Sequence, residues 1–391
     1  MTAVAPPRVL NIADLRRAAQ RRLPRVVFDY IDGGADQELT MRQNVSAYDS
    51  ITFQPRCAVS IPQCDLRTTV LGTQLALPFL LAPVSSCRMF FPRGEAVAAA
   101  AASAAGTAYI QPTLSGTGIE EVRAASSGPL WYQLYLVGGR EVAEAGIARA
   151  QAAGFSALVV TIDTPVAGNR ERDIRDGAHV LLNGTLFQKI PYAAQILTRP
   201  RWLYSYLTDR GRAGLPNIVL PSSGPMPYTD IGRLLAESAV MWDDLDWIRR
   251  QWTGPILVKG VHTADDARRA ADRGVDGIVV SNHGGRQLDS VPATISTLPE
   301  IVAAVGDRIE VLLDGGIRRG SDIVKALSLG AKAVLIGRAY AYGLGAAGLP
   351  GVTRAIDILR ADIVRTLKLL GCPSIAALDT SYVRIPPDWQ P

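Results

Sequence analysis

The sequence Ser-Asn-His-Gly-Gly-Arg-Gln-Leu-Asp at residues 281–289 places a histidine and an arginine three positions apart, beside two glycines. An imidazole titrates near neutral pH, so His283 can take a proton from a bound molecule. The guanidinium of Arg286 can hold an anion through paired hydrogen bonds. A loop histidine that only caps a turn is the alternative. The pattern therefore indicates a proton-transfer group beside an anion site.

Other polar side chains also lie at the ends of apolar runs; they are Ser85, Tyr135, Asp163 and Lys259. The strand ends of a parallel barrel meet on one face, so we expect these residues to share a pocket with His283 and Arg286. Lys259 has two active interpretations: a Schiff base with a carbonyl substrate, or an ammonium that stabilises negative charge on a cofactor. A lysine that extends into solvent is the third.

Two clusters of glycine and arginine come late in the chain, Asp314-Gly315-Gly316-Ile317-Arg318 and Gly337-Arg338. Glycine-turn N–H groups and guanidinium groups bind phosphate, and barrels hold phosphate after their seventh and eighth strands. A phosphate-bearing cofactor is therefore favoured over tight turns with exposed arginines. The GxGxxG match at 343–348 follows no clear strand, so we do not assign it to a nucleotide.

Eight apolar runs supply the strands that must position these residues. Helix-like segments rich in Ala, Leu, Arg or Glu lie between most of them. Such alternation predicts right-handed βαβ units, and eight of them predict an α/β fold with a single (β/α)8 TIM barrel. The runs are Pro78–Pro83, Ala108–Thr113, Leu130–Tyr135, Ala157–Asp163, Ile256–Gly260, Gly277–Asn282, Ile309–Gly315 and Ala333–Arg338.

The whole chain, 1–391, is expected to form one domain. It comprises an N-terminal helical segment at about 8–75, the barrel at 76–340, and a closing helix and tail at 341–391.

The interval from Asp163 to Lys259 is too long for one βα unit, so it must contain a long insertion after strand four, at about 176–240. Arginine, tryptophan and tyrosine cluster there around Pro200. We interpret the insertion as a mobile lid over the site. One alternative is that the insertion forms a patch that binds a membrane surface, and another is that it forms a contact between subunits.

Composition narrows the class of protein. The net charge of +5 comes from 41 basic and 36 acidic residues dispersed along the chain, which does not favour nucleic acid. The four cysteines lack CxxC or zinc-type spacing, so we expect no metal site and no disulfide framework. No apolar run reaches the roughly 18 residues that a membrane span needs. We expect a cytoplasmic protein, with peripheral contact on the inner face of the membrane as a second hypothesis.

The chain resembles the FMN-dependent α-hydroxy acid oxidase and dehydrogenase family, which includes glycolate oxidase, L-lactate dehydrogenase and mandelate dehydrogenase. The resemblance runs from about Phe28 to Gly371 and rests on SNHGGRQLD, with QLY, TIDTP, LVKG, LDGGIRRGSD and IGRAY in family order. It implies FMN as cofactor and oxidation of an (S)-2-hydroxy acid to a 2-oxo acid. We also expect a homo-oligomer, a homotetramer or octamer.

The resemblance also implies residue roles. His283 resembles the catalytic base and Asp163 its orienting carboxylate, while Lys259 resembles the lysine that stabilises the reduced flavin. The substrate carboxylate would bind Arg170 and Arg286, and Tyr30 and Tyr135 would donate hydroxyl contacts to the substrate, Tyr135 also counting as catalytic. The implied cofactor contacts are Pro83, Val84, Ser85, Thr113, Gln133, Thr161, Lys259, Ser281, Asp314, Gly315, Gly316, Arg318, Gly337 and Arg338.

Two positions depart from the family pattern. After strand one the family commonly has Pro-Thr-Ala or Pro-Thr-Gly, whereas this chain has Pro83-Val84-Ser85. After strand two the family offers a serine to the flavin, but here Pro112 has neither hydroxyl nor N–H, and Thr113 is the nearest replacement. These changes weaken the assignment of plain lactate or glycolate as substrate.

The electron acceptor is a quinone, a carrier or oxygen. A dehydrogenase like L-lactate dehydrogenase is favoured by the stretch Asp-Tyr-Ile-Asp-Gly-Gly-Ala at 29–35 and by Gly-Arg-Ala-Tyr at 337–340. The alternatives are an oxidase that produces hydrogen peroxide and a biosynthetic tailoring oxidase that acts on a larger hydroxy acid. More remote are a non-redox phosphate-binding barrel with Lys259 as Schiff base, and a flavin-binding protein that has lost turnover.

Overall fold

The computed structural model describes residues 9–209, 214–220, 224–227 and 238–390. Parts of the expected insertion, at 210–213, 221–223 and 228–237, lie outside the described residues, as do both extreme ends of the chain.

Eight parallel strands close into one barrel in chain order, with the eighth pairing beside the first. Seven strands lie within the runs that the sequence predicted, and the fifth extends one residue beyond its run, so the prediction of a single TIM barrel is confirmed. The strands are β1 Phe79–Leu81, β2 Tyr109–Pro112, β3 Leu130–Leu134, β4 Ala157–Thr161, β5 Ile256–Val261, β6 Gly277–Val280, β7 Glu310–Asp314 and β8 Val334–Ile336.

The barrel interior is apolar except at its carboxyl end. Trp131, Val159, Leu257, Val279 and Leu312 belong to one buried cluster fed by all eight strands. Side chains alternate along a strand, so the residue two positions further on faces the same interior. In five strands that next residue is polar and buried. We call this set the polar layer; it consists of Gln133, Thr161, Lys259, Ser281 and Asp314.

Eight helices surround the strands, one after each. Their inner faces are apolar at helical spacing; in Ala264–Asp272, for example, Ala264, Ala267 and Ala270 are buried, and the Thr263 hydroxyl accepts a hydrogen bond from the Asp266 N–H. The helices are Gly94–Ala104, Ile119–Ala124, Arg140–Ala152, Asp244–Gln251, Ala264–Asp272, Thr294–Val305, Gly320–Ser328 and Arg338–Ala347. The GxGxxG match lies mostly in the last of these, which is consistent with leaving it unassigned.

The segment before the barrel is helical only in its first half. Three helices, Ile12–Arg22, Arg25–Asp32 and Leu39–Ser46, are followed by a hairpin of Thr68–Val70 and Thr73–Leu75. Val70 and Leu75 join the apolar cluster inside the barrel, so the hairpin closes the barrel end opposite the polar layer. An extended chain suits this position because its alternate side chains can all point into the barrel mouth.

The carboxyl-terminal segment begins with the helix Leu349–Leu370. The chain then returns to the start of the molecule, where Val383–Arg384 pairs with Thr52–Phe53.

The insertion between β4 and β5 forms a roof over the carboxyl end of the barrel. Its Trp202 indole N–H donates to the Met89 carbonyl at 2.8 Å, and Arg88 forms two hydrogen bonds with Asp209. These contacts fasten the roof to the loop after β1. The described roof elements are Glu171–Arg175, Ala178–Asn183, Leu186–Leu197, Pro200–Thr208 and the hairpin of Leu215–Leu220 with Gly224–Met226.

Candidate active site

A cavity of about 680 Å³ lies between the strand ends, the helix Arg25–Asp32 and the roof. Most of the residues that the sequence singled out line it. They are Tyr30, Pro83, Val84, Ser85, Tyr135, Arg170, Lys259, His283, Arg286, Asp314, Gly315, Gly316, Arg318, Gly337 and Arg338. Five others are buried near the strand ends without forming part of the lining: Thr113, Gln133, Thr161, Asp163 and Ser281.

His283 is held by its backbone and by a carboxylate. Its φ of +57° lies in the left-handed region, and its N–H donates to the Ser281 hydroxyl at 3.1 Å. Its Nδ1 lies 2.9 Å from Asp163 Oδ1. With Nδ1 engaged, Nε2 is the ring nitrogen that can accept a proton from a bound molecule.

The Asp163 side chain is largely buried, with 13% of its surface exposed, yet it remains a carboxylate. Burial alone would raise its pKa, but the neighbouring His283 and Lys259 charges hold the pKa below its usual value. Gly260, with a φ of +103°, makes room for it, because a Cβ there would lie 2.6 Å from the Asp163 Cβ. An ionised Asp163 would stabilise the imidazolium that forms when His283 takes a proton.

Three residues of the polar layer are linked through the Lys259 ammonium. The Lys259 ammonium donates to Ser281 Oγ at 2.9 Å and lies 3.1 Å from Asp314 Oδ2. Burial would lower the pKa of Lys259, but the charges of Asp314 and Asp163 raise it above its usual value. The site therefore holds a permanent positive charge below His283.

The other two residues of the polar layer, Gln133 and Thr161, contact each other, and Thr113 bonds to the backbone beside them. Gln133 Nε2 donates to Thr161 Oγ1 at 3.1 Å, as neighbouring strands allow. The Thr113 hydroxyl donates to the Gln133 carbonyl at 2.6 Å and accepts from the Tyr135 N–H at 3.1 Å. It is therefore occupied by the β3 backbone, and the next residue, Leu114, lines the cavity instead.

Two guanidinium groups flank the Tyr30 ring, with Arg286 Cζ 5.1 Å and Arg170 Cζ 5.6 Å from its centroid. Arg286 donates to the carbonyls of Tyr30 and Gly33 at 2.7 and 3.0 Å. Burial, and then the like charge of Arg170, lower the pKa of Arg286 to about 9. An anion relieves the repulsion between two guanidinium groups that are close together, so this end of the cavity suits a carboxylate.

Tyr135 lies near the same carboxylate as His283. Burial, and then the charge of Asp163, raise the pKa of its phenol. The hydroxyl therefore stays protonated and can donate a hydrogen bond to a bound molecule.

Several positioning residues were not found from the sequence. Asn44 and Asn282 exchange two side-chain hydrogen bonds, at 2.8 and 2.9 Å, which tie the His283 loop to the N-terminal helices. Gln287 donates to the Asp163 carbonyl at 3.0 Å. Asn282 and Gln287 were visible inside the motif, whereas nothing local marks Asn44.

The glycine and arginine clusters form a cradle at β7 and β8. A Cβ at Gly316 would lie 1.7 Å from the Asn44 carbonyl, so only glycine allows this turn. At Gly337 the nearest atom would be 3.7 Å away, so the cavity is open on that side. Arg338 lines the cavity, and its three nitrogens also donate to the carbonyls of Ile31, Gly33 and Gly284, which fastens the N-terminal segment to the His283 loop.

These residues fit FMN. Asp314 Oδ1 is buried with no hydrogen-bond partner among the described residues, and such an acceptor suits a ribityl hydroxyl. The Gly315-Gly316 turn and the Arg318 guanidinium suit a phosphate. The Lys259 ammonium suits a ring system that gains negative charge.

Comparison with known proteins agrees with this chemistry. The family model described as FMN-dependent dehydrogenase matches residues 19–385. An L-lactate dehydrogenase of Caulobacter vibrioides is 43% identical over 392 residues, covering 97% of this chain and 99% of that protein. An L-lactate oxidase of Nostoc sp. is 39% identical over 397 residues, covering 98% and 100%.

Among solved structures, the monotopic membrane protein (S)-mandelate dehydrogenase superimposes with a TM-score of 0.90 at 36% identity, covering 97% of this chain and 100% of that one. A barrel of this topology, a cradle that fits FMN and a full-length family match lead to one conclusion. The chain belongs to the FMN-dependent dehydrogenase family.

Proposed function

We propose that this enzyme oxidises an (S)-2-hydroxy acid to the 2-oxo acid, with His283 as the base. The observation that carries the proposal is the 2.9 Å contact between His283 Nδ1 and the buried Asp163 carboxylate, on the wall of a cavity that also presents Arg170 and Arg286. The base and the carboxylate-binding arginines thus line the same cavity, as the oxidation of a carbon next to a carboxylate requires.

Each side chain has a task in this reaction. The guanidinium groups of Arg170 and Arg286 bind the substrate carboxylate and fix its orientation. His283 Nε2 accepts the hydroxyl proton, and Asp163 stabilises the resulting imidazolium. The hydroxyls of Tyr30 and Tyr135 donate to the substrate. The α-hydrogen would leave the carbon with its electron pair, as a hydride, and bound FMN would supply the acceptor for it.

The residues proposed to hold FMN share the strand ends of the barrel. Lys259 supplies a positive charge where the ring system gains electrons, and the glycine turns with Arg318 bind the phosphate. The same ion pair argues against a Schiff base, because a nucleophilic lysine must be neutral, whereas Lys259 is held as an ammonium by Asp314. The other proposed contacts are Pro83, Val84, Ser85, Thr113, Gln133, Thr161, Ser281, Asp314, Gly315, Gly316, Gly337 and Arg338.

We infer a dehydrogenase that passes electrons to a quinone or a carrier, with L-lactate as the first substrate to test. The Caulobacter relative bears the name L-lactate dehydrogenase, which supports this choice. An oxidase that uses oxygen is the second candidate, because the Nostoc relative bears the name L-lactate oxidase. A larger hydroxy acid is favoured by Met89, Leu114 and Trp202, which add apolar surface to the cavity.

The test follows the colour of bound FMN. The purified holoenzyme is mixed anaerobically with (S)-lactate, glycolate, (S)-mandelate and longer 2-hydroxy acids, and flavin bleaching is recorded. We expect bleaching by at least one (S)-acid and none by its (R)-enantiomer. If no acid bleaches the flavin, the proposal is wrong. Reoxidation by a quinone that is faster than by air supports the dehydrogenase, and the reverse order supports the oxidase.

The roof also suggests peripheral membrane contact at the inner face. No helix among the described residues has the length and apolar character to span a bilayer. The roof helices nevertheless expose Phe187 at 84%, Ile190 at 64%, Leu197 at 68% and Tyr204 at 72%, beside the exposed Arg201. Apolar and basic residues on short helices suit an anionic membrane surface.

This proposal is tested by sedimentation with vesicles that contain anionic lipid. We expect the parent protein to sediment and the double variant Phe187→Ser, Ile190→Ser to stay in solution with its flavin bleaching intact. Equal sedimentation of the two proteins would overturn it. We further propose that residues 1–391 form one domain and assemble as a homotetramer, which light scattering of the purified protein tests.

A further inference from the structure

The carboxylate-binding end of the cavity contains an acid that the proposed function does not use. Asp173 lies on the short roof helix Glu171–Arg175 and lines the cavity. Its Oδ2 lies 3.2 Å from Arg170 Nε, and its side chain is 17% exposed. A carboxylate thus already contacts one of the two arginines that the substrate carboxylate needs.

The two arginines are therefore not equivalent. Arg170 is neutralised by Asp173, whereas Arg286 donates to the uncharged carbonyls of Tyr30 and Gly33. Two guanidinium charges and one carboxylate charge leave one net positive charge at this end of the cavity.

His283 and Lys259 have carboxylate partners of their own, whereas Arg338, like Arg286, donates to uncharged carbonyls. His283 contacts Asp163, and Lys259 contacts Asp314. Arg338 is bound to three backbone carbonyls. Lys189, on the roof helix Leu186–Leu197, also lines the cavity and therefore needs a variant of its own.

We propose that Asp173 limits the site to one substrate carboxylate, so that the enzyme selects 2-hydroxy monocarboxylic acids with uncharged side chains over dicarboxylic acids. This inference rests on the proposed function for the identity of the ligand. One carboxylate balances the net charge of Arg170, Arg286 and Asp173. A second carboxylate would have to lose its hydration, would meet the like charge of Asp173, and would lie against apolar residues such as Leu114 and Trp202.

Asp173 is a positioning residue in this account, because it acts through Arg170. In the absence of substrate it holds the guanidinium beside the Tyr30 ring. Burial raises the pKa of Asp173, and the charges of Arg170 and Arg286 oppose that rise. A substrate carboxylate that reaches Arg170 competes with Asp173 for the guanidinium group.

The test compares two product-like ligands of equal length, 2-oxopentanoate with one carboxylate and 2-oxoglutarate with two. Dissociation constants for the FMN-loaded enzyme come from the change in flavin absorbance, without turnover. In the parent protein we expect 2-oxopentanoate to bind roughly tenfold tighter or more. In Asp173→Asn we expect both ligands to bind more tightly and 2-oxoglutarate to gain roughly tenfold relative to 2-oxopentanoate.

Two matched variants separate local from general effects. Glu171→Gln removes an exposed negative charge from the same helix and should leave the ratio of dissociation constants unchanged. Lys189→Met should also leave it unchanged, and a larger change there than in Asp173→Asn overturns the assignment. An unchanged ratio in Asp173→Asn, or a parallel loss of affinity for both ligands, shows a purely structural role and overturns it as well.

If Asp173→Asn does not retain FMN, the affinities of the parent protein for the two ligands still test the proposal. Equal affinity of the parent for the two ligands overturns the proposal. Steady-state kinetics add a second readout, since Asp173→Asn should lower KM for a monocarboxylate more than it changes kcat. The binding assay needs no turnover. If no acid bleached the flavin, the proposed function would be wrong, but the selection of monocarboxylates by Asp173 would still be tested by the binding assay.

Discussion

The barrel end and the roof enclose the same cavity but are built differently. In the barrel end, Lys259, Ser281 and Asp314 are buried, bonded to one another and carried by strands of a closed sheet. In the roof, short helices expose Phe187 and Ile190 to solvent and join the barrel through contacts such as Trp202 with Met89. Rigid strands hold reacting groups more accurately than short helices joined by loops can.

Substitutions in the two regions should have different effects. Substitutions at the barrel end should damage chemistry and stability together, because each buried charge there depends on a partner. Substitutions in the roof should change ligand binding and surface contacts while leaving the chemical step largely intact.

The largest effect should follow Lys259→Met. This change leaves the buried Asp314 and Asp163 carboxylates without their shared cation, which costs about 3–5 kcal/mol in stability. It also removes the charge beside the reacting ring, so flavin reduction should slow by roughly a thousandfold. Urea unfolding and anaerobic stopped-flow absorbance measure the two effects. The exposed Lys332→Met is the control, and a Lys259→Met protein as stable and as fast as this control contradicts the account.

Arg286→Lys tests the anion site of the barrel end. A lysine keeps the charge but loses the fork of donors that reaches Tyr30, Gly33 and a carboxylate together. We expect kcat/KM for the best 2-hydroxy acid to fall roughly a hundredfold. Steady-state kinetics against the exposed Arg308→Lys provide the comparison, and a change below threefold would show that Arg286 does not bind substrate.

Trp202→Ala tests how the roof is attached to the barrel. The change removes the hydrogen bond to the Met89 carbonyl and the stacking on Tyr206, whose ring centroid is 4.9 Å away. The roof should loosen, so KM should rise severalfold while kcat stays within about twofold. Limited proteolysis should cut the variant in the insertion sooner than Tyr204→Ser, a change at an exposed neighbour. If kcat fell by as much as the roughly hundredfold decrease in kcat/KM expected for Arg286→Lys, the roof would affect the chemical step as strongly as the barrel end does.

The smallest effect concerns acid stability. The pKa of Asp163 is lowered in the folded protein, so its ionised form stabilises the fold above the ordinary aspartate pKa. That contribution is lost as pH falls through the lowered pKa. The stability difference between the parent and Asp163→Asn should therefore shrink below about pH 4. Urea unfolding at neutral and acid pH checks this, and a constant difference across the range contradicts it.

The sequence was most informative where structure repeats. Eight apolar runs predicted all eight strands, because a strand of a buried parallel sheet is short and almost continuously apolar. The strand-end rule then gathered Tyr135, Lys259 and His283 into one pocket. The family resemblance and the FMN prediction are confirmed by the match over residues 19–385.

The sequence did not show which side chains form hydrogen bonds with residues that are distant along the chain. Arg338 is proposed to contact the phosphate, and the sequence did not show that its donors also reach carbonyls brought close only by folding. Thr113 is proposed to contact the flavin, and the sequence did not show that its hydroxyl also bonds to the adjacent β3 backbone. Asn44 and Asp173 carry no local pattern that marks them. Their roles depend on loops whose positions follow from tertiary packing.

The central claim is that His283, oriented by Asp163, removes the substrate proton in a cavity shared with FMN. Anaerobic stopped-flow mixing of the holoenzyme with the best (S)-2-hydroxy acid tests it most directly, with His262→Ala as the control at a histidine outside the cavity lining. The account predicts that His283→Ala keeps the absorbance of bound FMN and is reduced roughly a hundred to ten thousand times more slowly than the parent. Equal reduction rates in His283→Ala and the parent protein would contradict it.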